Sequence, residues 1–254
     1  MLLTLFLFTG MLSGTDFKEY KIKSDDINLL MNLPGEVKVT PGDIKTLRIS
    51  YVIPDSLKRF LKIKRIRNLY KFDFDVDFGD LKIKELKEFV KNFKFLIELP
   101  LNVSLNIDYS GGPIDGDFEF GELKIKKMAI SAGAGKLNIS FDKPNRISMT
   151  KLEVDAGAAS IEIQKLGNSN LIKGEINTGV SLMHIDLGGE WRQKADVSLE
   201  SAVANIQLSA PKDLKFNVEK EGFVTLGLKK KNVKNPRFTL TINSVLGLVG
   251  FEEY

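Results

Sequence analysis

The residues best suited to chemistry in this sequence are its one histidine and a glutamate at the matching position of the preceding repeat. His184 and Glu162 would lie on neighbouring strands, so we expect their Cβ atoms to be about 5 Å apart. A carboxylate beside an imidazole could orient the ring as a general base. An exposed ion pair, contributing roughly 0–1 kcal/mol, gives the same spacing and is the interpretation we favour.

Four acidic residues form a second candidate site on the outward side of adjacent predicted strands: Glu153, Asp155, Glu175 and Glu200. Ca²⁺ prefers clustered carboxylate oxygens, so these side chains are alternative ligands for a calcium ion. Their spacing differs from that of a known calcium loop, and we favour a solvated acidic stripe. The sequence therefore predicts no catalytic residue, no metal site and no cofactor.

A short basic run is the third candidate. Six basic residues alternate with apolar ones: Lys58, Arg59, Lys62, Lys64, Arg65 and Arg67. Such a run could lie on an anionic membrane surface. We favour a charged strand or helix packed on the end of the fold, because amphipathic patterns mostly mark a face that contacts the core.

The single tryptophan, Trp191, follows two glycines at a predicted turn. An exposed indole could stack on a sugar ring, which makes Trp191 a candidate binding residue. We favour the alternative of a packed corner residue, because tryptophan side chains are mostly buried.

Composition excludes several classes of protein. The 254 residues include no cysteine and one histidine, which rules out disulfides, thiolate metal sites and mechanisms that need two histidines in one chain. The formal net charge is only +4, and lysine exceeds arginine. Nucleic-acid binders concentrate arginine and aromatic residues on one basic face, so we expect no nucleic-acid partner.

The second half of the chain repeats, which allows these candidates to be placed. Four small residues follow one another at a nearly constant spacing: Ala132, Ala156, Thr178 and Ser201. Apolar residues recur five and seven positions after each of them: Leu137, Ile161, Met183 and Ile206, and then Ile139, Ile163, Ile185 and Leu208. Polar residues flank these positions, so each repeat predicts two short strands around a small-residue bend.

A constant period of about 23 residues predicts stacked coils, because one such unit cannot bury its apolar side alone. Successive rungs would lie about 4.8 Å apart and place each apolar residue on its counterpart. The predicted fold class is therefore all-β, a β-solenoid or parallel β-helix. We also predict a rung one period upstream, which aligns Ile107 with Ile130, and a terminal capping unit at residues 238–250.

The repeat sequences ISAGAGKLNIS, VDAGAASIEI and INTGVSLMHIDLGGEW resemble the bacterial toast-rack and adhesin-like solenoids. That group includes the C-terminal domains of cell-wall-active-antibiotic response proteins. The resemblance covers residues 96–250 well and residues 16–95 loosely. It implies a right-handed β-helix in the bacterial cell envelope and transfers no catalytic residues.

The first part of the chain is less regular. Residues 1–14 are uncharged and mostly apolar, which is typical of a secretory signal and too short for a membrane span of about 20 residues. Residues 15–95 are predicted to form a β-rich section with possible short helices, including an amphipathic helix within residues 55–69. Residues 96–254 form the predicted solenoid, and 15–254 form one continuous domain.

These observations favour a non-enzymatic, exported envelope protein that acts as a scaffold, an adhesin-like protein or a stress-response partner. The alternatives are a carbohydrate-active β-helix enzyme, which needs paired carboxylates in a groove, and a peripheral membrane module using the basic run. Expected partners are anionic envelope polymers, a membrane surface or an envelope protein. The sequence does not predict an oligomeric state.

Overall fold

The computed structural model describes residues 15–75, 92–226 and 233–254. The predicted signal segment, residues 1–14, lies outside the described residues. The described chain forms fourteen strands that belong to one hydrogen-bonded sheet system. The predicted all-β solenoid is therefore confirmed, while its right-handed winding stays a prediction.

The strands differ in length along the chain. The first seven are short: β1 (Asp16–Lys21), β2 (Asp26–Asn32), β3 (Gly35–Pro41), β4 (Thr46–Val52), β5 (Leu61–Ile66), β6 (Leu69–Phe74) and β7 (Lys94–Leu99). The other seven are longer: β8 (Ser104–Glu119), β9 (Lys124–Ser140), β10 (Lys151–Gln164), β11 (Lys173–Asp186), β12 (Ala195–Ala210), β13 (Phe216–Leu226) and β14 (Phe238–Glu253). Short 3-10 helices occupy Asp55–Phe60 and Leu166–Ser169.

Each long strand is one rung with two arms and a corner. In β10 the arms are 151–156 and 158–164, and Gly157 between them has no register partner in either neighbouring rung. The strands β8 to β12 pair in sequence order, all parallel. Parallel pairing at one register explains why the period of the sequence is nearly constant, since each rung must return the chain to the same starting point.

The predicted columns are present in the core. Register pairs join Ile139 to Ile163, Ile163 to Ile185 and Ile185 to Leu208, and all four side chains are buried. The column of Ile130, Val154, Ile176 and Leu199 forms in the same way on the other arm. Burying one such side chain contributes about 1.5–3 kcal/mol, so these columns are the main source of stability.

The connections between rungs also contribute to the core, and buried asparagines hold them. The Asn145 amide accepts a hydrogen bond from the Ile125 N–H at 2.8 Å and donates to the carbonyls of Ile125 and Ile147 at 2.9 and 2.8 Å. Asn168 donates to the Phe141 carbonyl in the same manner. These amides satisfy backbone groups where the chain leaves the strand ladder and no strand partner is present.

The N-terminal section continues the solenoid and then closes it. Strands β2 and β3 together form one rung, since they pair parallel with the two arms of β8. Strands β6 and β7 pair parallel with β2 and β3 and form the next rung outward. Antiparallel strands then end both arms: β5 lies beside β6, while β4 and β1 follow β7.

Three details of the sequence prediction are wrong. Residues 55–69 form a 3-10 helix followed by β5, because the alternating residues after Phe60 suit a strand at the end of a sheet. The upstream rung places Tyr109, and not Ile107, opposite Ile130, because about 21 residues separate the partners of β8 and β9, two fewer than the period of the later rungs. The third wrong detail is the order of the last two rungs at the C-terminus.

The last two rungs are exchanged in space relative to their order in the sequence. Strand β14 pairs parallel with β12 on one side and with β13 on the other. The C-terminal strand therefore lies inside the stack, and β13 is the outermost rung at this end. Residues 238–250 are thus a regular inner rung, and the predicted capping role there is wrong.

A corner glycine provides a test of the rung geometry. Gly135 has φ +134°, and a Cβ at this position would meet the Ile114 carbonyl of the neighbouring rung. We expect Gly135→Ala to lower the free energy of unfolding by about 2–4 kcal/mol, because the residue combines a strained conformation with a backbone contact. Urea denaturation measures the loss.

Gly112 is the matched control, since a Cβ there would meet nothing within 4 Å. Gly112→Ala should change the free energy of unfolding by no more than about 1 kcal/mol. Equal effects of the two substitutions would show that the rung contact at Gly135 is absent in solution.

Candidate interaction surfaces

His184 and Glu162 are neighbours, as the repeat register predicts. They face each other across β11 and β10, on the outer side of the second arm. Each has a hydrogen bond elsewhere: His184 Nε2 lies 3.3 Å from Ser209 Oγ, and Glu162 accepts from Gln164 Nε2 at 2.7 Å. The structure thus brings the pair together within a row of polar side chains along the rungs.

Lysine and amide side chains form ion pairs and hydrogen bonds with the predicted acidic stripe, which consists of Glu153, Asp155, Glu175 and Glu200. Lys151 Nζ lies 2.9 Å from Glu153 and 3.0 Å from Glu175, and Lys173 lies 2.9 Å from Glu175. Hydrogen bonds from Lys173 and Lys151 lower the pKa of the Glu175 carboxyl. Asp155 accepts from the Asn177 amide at 2.8 Å.

Glu200 lies opposite Asn177 on one side and Asn243 on the other, away from the lysines. Within the described residues, no group of three His, Cys, Asp or Glu side chains converges as metal ligands would. The stacked carboxylates are instead stabilised by charges and amides from the next rung.

The basic run lies at the N-terminal end of the solenoid. Lys58 in the 3-10 helix contacts Asp16 at 2.7 Å and Asp55 at 2.8 Å, which raises its pKa. Lys62 contacts Asp75 at 2.6 Å. The 3-10 helix places Leu57 and Phe60 against the core, so this segment closes the end of the fold, as we favoured from its pattern.

Arginines of the same run lie on aromatic rings. The guanidinium of Arg59 is 4.8 Å from the centre of the Phe60 ring, and that of Arg65 is 5.4 Å from the Tyr70 ring. Lys64 and Arg67 are exposed, and the Arg67 backbone has φ 56° in the turn between β5 and β6. Charged side chains on an edge strand discourage pairing with another chain.

Trp191 is packed at a corner. Its Nε1 donates to the Leu187 carbonyl at 2.8 Å, and its ring centre lies 5.1 Å from that of Phe238. The indole is half-buried against the core. This packing explains why a tryptophan occupies the corner. That Trp191 stacks on a sugar ring stays a prediction.

A shallow groove follows the corners of six rungs. Its volume is about 730 Å³, and small residues form its floor, including Ala132, Ala156 and Gly157. One wall carries Asp155 and Glu200. The groove extends along the solenoid axis because every rung bends at the same place.

The feature that sequence reasoning missed is an apolar surface at the corner and the start of the second arm, on the C-terminal rungs. Seven side chains there are between 42% and 82% exposed: Val180, Leu182, Val203, Phe223, Val245, Leu246 and Leu248. We call this set the C-terminal apolar surface. Register pairs join Val180 to Val203 and Val203 to Leu246, so these three form one row across rungs, while Asn205 lies between Leu182 and Leu248 in the next row.

The signal for this surface was present in the sequence but was assigned to the bends. Val180 and Val203 follow the small residues of their repeats and fall in the segments interpreted as turns. In the structure they belong to the outer face of the strand just after the corner. Apolar residues at outward strand positions are the pattern that would have identified it.

The comparisons with known proteins agree with the rung structure. Residues 145–209 match the family model described as the N-terminal domain of toast_rack, DUF2154. This segment contains β10, β11 and almost all of β12. The predicted resemblance to the toast-rack group is therefore confirmed on these rungs. No match was found among the curated proteins.

Several solved structures are similar to the chain over most of its length. A protein from Clostridium sporogenes, provisionally assigned to cell adhesion, is 12% identical, with 94% of this chain and 100% of that chain covered and a TM-score of 0.45. A protein from Parabacteroides distasonis, provisionally assigned as lipid-binding, is 13% identical, with 95% and 98% covered and a TM-score of 0.47. Identities and TM-scores this low carry no functional argument.

None of the helices in the described ranges is both long and apolar enough to cross a membrane.

The lysine-covered acidic stripe predicts that calcium is not a ligand. We expect the melting temperature in millimolar CaCl₂ to agree within about 1 °C with that in EDTA at matched ionic strength, because a bound ion would stabilise the fold. Differential scanning fluorimetry measures this. A saturable rise with Ca²⁺ that the double variant Asp155→Asn, Glu175→Gln abolishes would contradict the expectation.

The ion pairs within the basic run predict that it attracts an anionic membrane only weakly. Since Lys58 and Lys62 already contact carboxylates, we expect slight sedimentation with anionic vesicles at low salt and none at about 0.15 M salt, where screening is strong. The control substitutes Lys64, Arg65 and Arg67 by Gln. Salt-resistant sedimentation that these substitutions remove would support a membrane module instead.

Proposed function

We propose that the protein is a non-enzymatic scaffold of the cell envelope that binds other protein surfaces through the C-terminal apolar surface. The observation that carries this proposal is the row of exposed apolar side chains Val180, Val203 and Leu246 on three neighbouring rungs. Single exposed apolar residues are common on protein surfaces, whereas adjacent ones mark interaction sites. A surface of this kind is typical of a protein that binds another.

The rows of outer polar side chains favour binding over catalysis. His184 and Glu162 are hydrogen-bonded to Ser209 and Gln164, and Glu175 to two lysines. A general base needs its proton-accepting atom directed at a substrate. Side chains that engage one another along a flat ladder suit a recognition surface better than a reaction centre.

An envelope location is supported by two sequence features. The apolar segment 1–14 is typical of an export signal. The repeats resemble the toast-rack group, and the family match lies on three central rungs.

The test is cross-linking in cells that express the full chain. The surface variant combines Leu182→Ser, Leu246→Ser and Leu248→Ser, and the control variant combines Ile44→Ser, Ile66→Ser and Ile172→Ser. All six residues are exposed, so both variants should fold. We expect the parent and control to fractionate with the envelope and form cross-linked adducts with proteins. The surface variant should lose at least about 80% of these adducts, because three apolar contacts are lost.

Location in the cytosol would contradict the envelope role. Adducts that the surface variant retains in full would contradict the proposed binding surface. Release of sugar products from envelope polymers by the purified chain would support the alternative of a carbohydrate-active enzyme.

A further inference from the structure

A depression on the outer face of the first arm has the size of a small-ligand site. It extends over β6, β2, β8, β9 and β10 and has a volume of about 340 Å³. In its outward row, Ala129 on β9 lies between Asp108 on β8 and Glu153 on β10. Because alanine is shorter than its two neighbours, the row is interrupted there. Ligand pockets typically have volumes of about 300–1,000 Å³.

The N-terminal end of this depression is apolar. Leu30 on β2 and Leu69 on β6 line it, and both side chains are half-buried. On β10, β11 and β12 the outward positions of the same arm all carry polar or charged residues. The two leucines therefore form a local apolar wall, against which a short aliphatic group would pack.

Two opposite charges next to this wall have no protein partner. Lys127 lies opposite Asn106, two residues before Asp108 on the same strand. Strand and residue spacings place the Cβ atoms of Lys127 and Asp108 roughly 8 Å apart. Within the described ranges neither side chain forms an ion pair or a hydrogen bond, whereas Lys151 and Glu153 at the far wall contact each other at 2.9 Å. A molecule with one positive and one negative group can meet both free charges.

A β-bulge places Lys127 at the depression. The register of β9 against β8 skips one residue, Lys126, between Ile125 and Lys127. Both lysines are therefore exposed, while Ile125 and Met128 on either side of them are buried. The Thr150 N–H and Oγ1 hold the bulge by donating to the Lys126 carbonyl at 2.8 and 2.9 Å. Bulges redirect side chains and are over-represented next to functional sites.

An amide pair adds a donor and an acceptor to the same wall. Asn106 Nδ2 donates to Asn28 Oδ1 at 3.1 Å, and both residues line the depression. This contact leaves Asn28 Nδ2 and Asn106 Oδ1 without a partner among the residues that the structure describes. A ligand carboxylate can accept from the first, and a ligand ammonium can donate to the second.

We propose that this depression binds an apolar α-amino acid. Its carboxylate would lie at Lys127, its ammonium at Asp108 and its aliphatic side chain against Leu30 and Leu69. A purely anionic ligand would bring a second negative charge to Asp108, and a purely cationic one would bring a second positive charge to Lys127. The inference goes beyond the proposed function, because the site is separate from the C-terminal apolar surface and takes a small molecule.

The first test is isothermal titration calorimetry of the purified full chain with L-leucine as the probe. Three analogues each lack one feature: N-acetyl-L-leucine has no ammonium, L-leucinamide has no carboxylate and glycine has no aliphatic chain. We expect leucine to bind with a Kd below about 1 mM and each analogue to bind at least about tenfold more weakly, because each loses one set of contacts.

The second test matches single substitutions to the analogues. Lys127→Gln should bind leucine and leucinamide with affinities within about twofold of each other, since the group that distinguishes them is gone. Asp108→Asn should do the same for leucine and N-acetylleucine. The control is Lys126→Gln, at an exposed lysine that does not line the depression. It should bind leucine as the parent does, and circular dichroism should show the same β spectrum for all variants.

The contrary results are distinct from failure of the proposed function, which concerns protein adducts at another surface. Absence of binding by the parent at every soluble concentration of leucine overturns the site. Equal binding of leucine and leucinamide by the parent overturns recognition of the carboxylate by Lys127. Equal weakening by Lys126→Gln and Lys127→Gln shows a general attraction to lysines and overturns the inference as well.

Discussion

The structure depends on one constraint, which is that every rung must repeat the backbone register of the rung beside it. Parallel pairing joins Ile139, Ile163 and Ile185 into one buried column, and no single rung could bury those side chains alone. The constraint acts on the corners as well, since Gly135 is in close contact with the Ile114 carbonyl of its neighbour. Stability and shape therefore have the same origin.

The same register determines the outer surfaces. A residue type that suits one rung is placed about 4.8 Å from its counterpart on the next, so a repeated charge would repel itself. The chain offsets this repulsion: Glu153 and Glu175 lie opposite each other, and Lys151 contacts both carboxylates. One step along the strands, the amide of Asn177 donates to Asp155 on the neighbouring rung. Outer rows of mutually satisfied groups follow from stacking, which explains why conspicuous polar residues can have a purely structural role.

Sequence reasoning succeeded where the register is local and failed where it is not. The period places Glu162 opposite His184 and each inward residue on its counterpart, because four consecutive rungs keep one spacing. The insertion of β14 between β12 and β13 leaves no trace in the spacing, because pairing partners are chosen by the whole stack. The shorter spacing between β8 and β9, which pairs Tyr109 with Ile130, is likewise invisible, since a displacement by two residues leaves the same side chains on the inward face.

The ends of a solenoid must be closed, and closure could have accounted for the unusual residues near the C-terminus. At the N-terminal end, the 3-10 helix places Leu57 and Phe60 against the core. At the other end, Lys220 lies on the inward column of the outermost rung. A role in closing an end does not explain Val180, Leu182 and Leu248. Their side chains are exposed on the outer side of β11 and β14 and neither pack against the core nor lie in an inward column. End closure does not require them there, which is consistent with the binding surface that we propose for them.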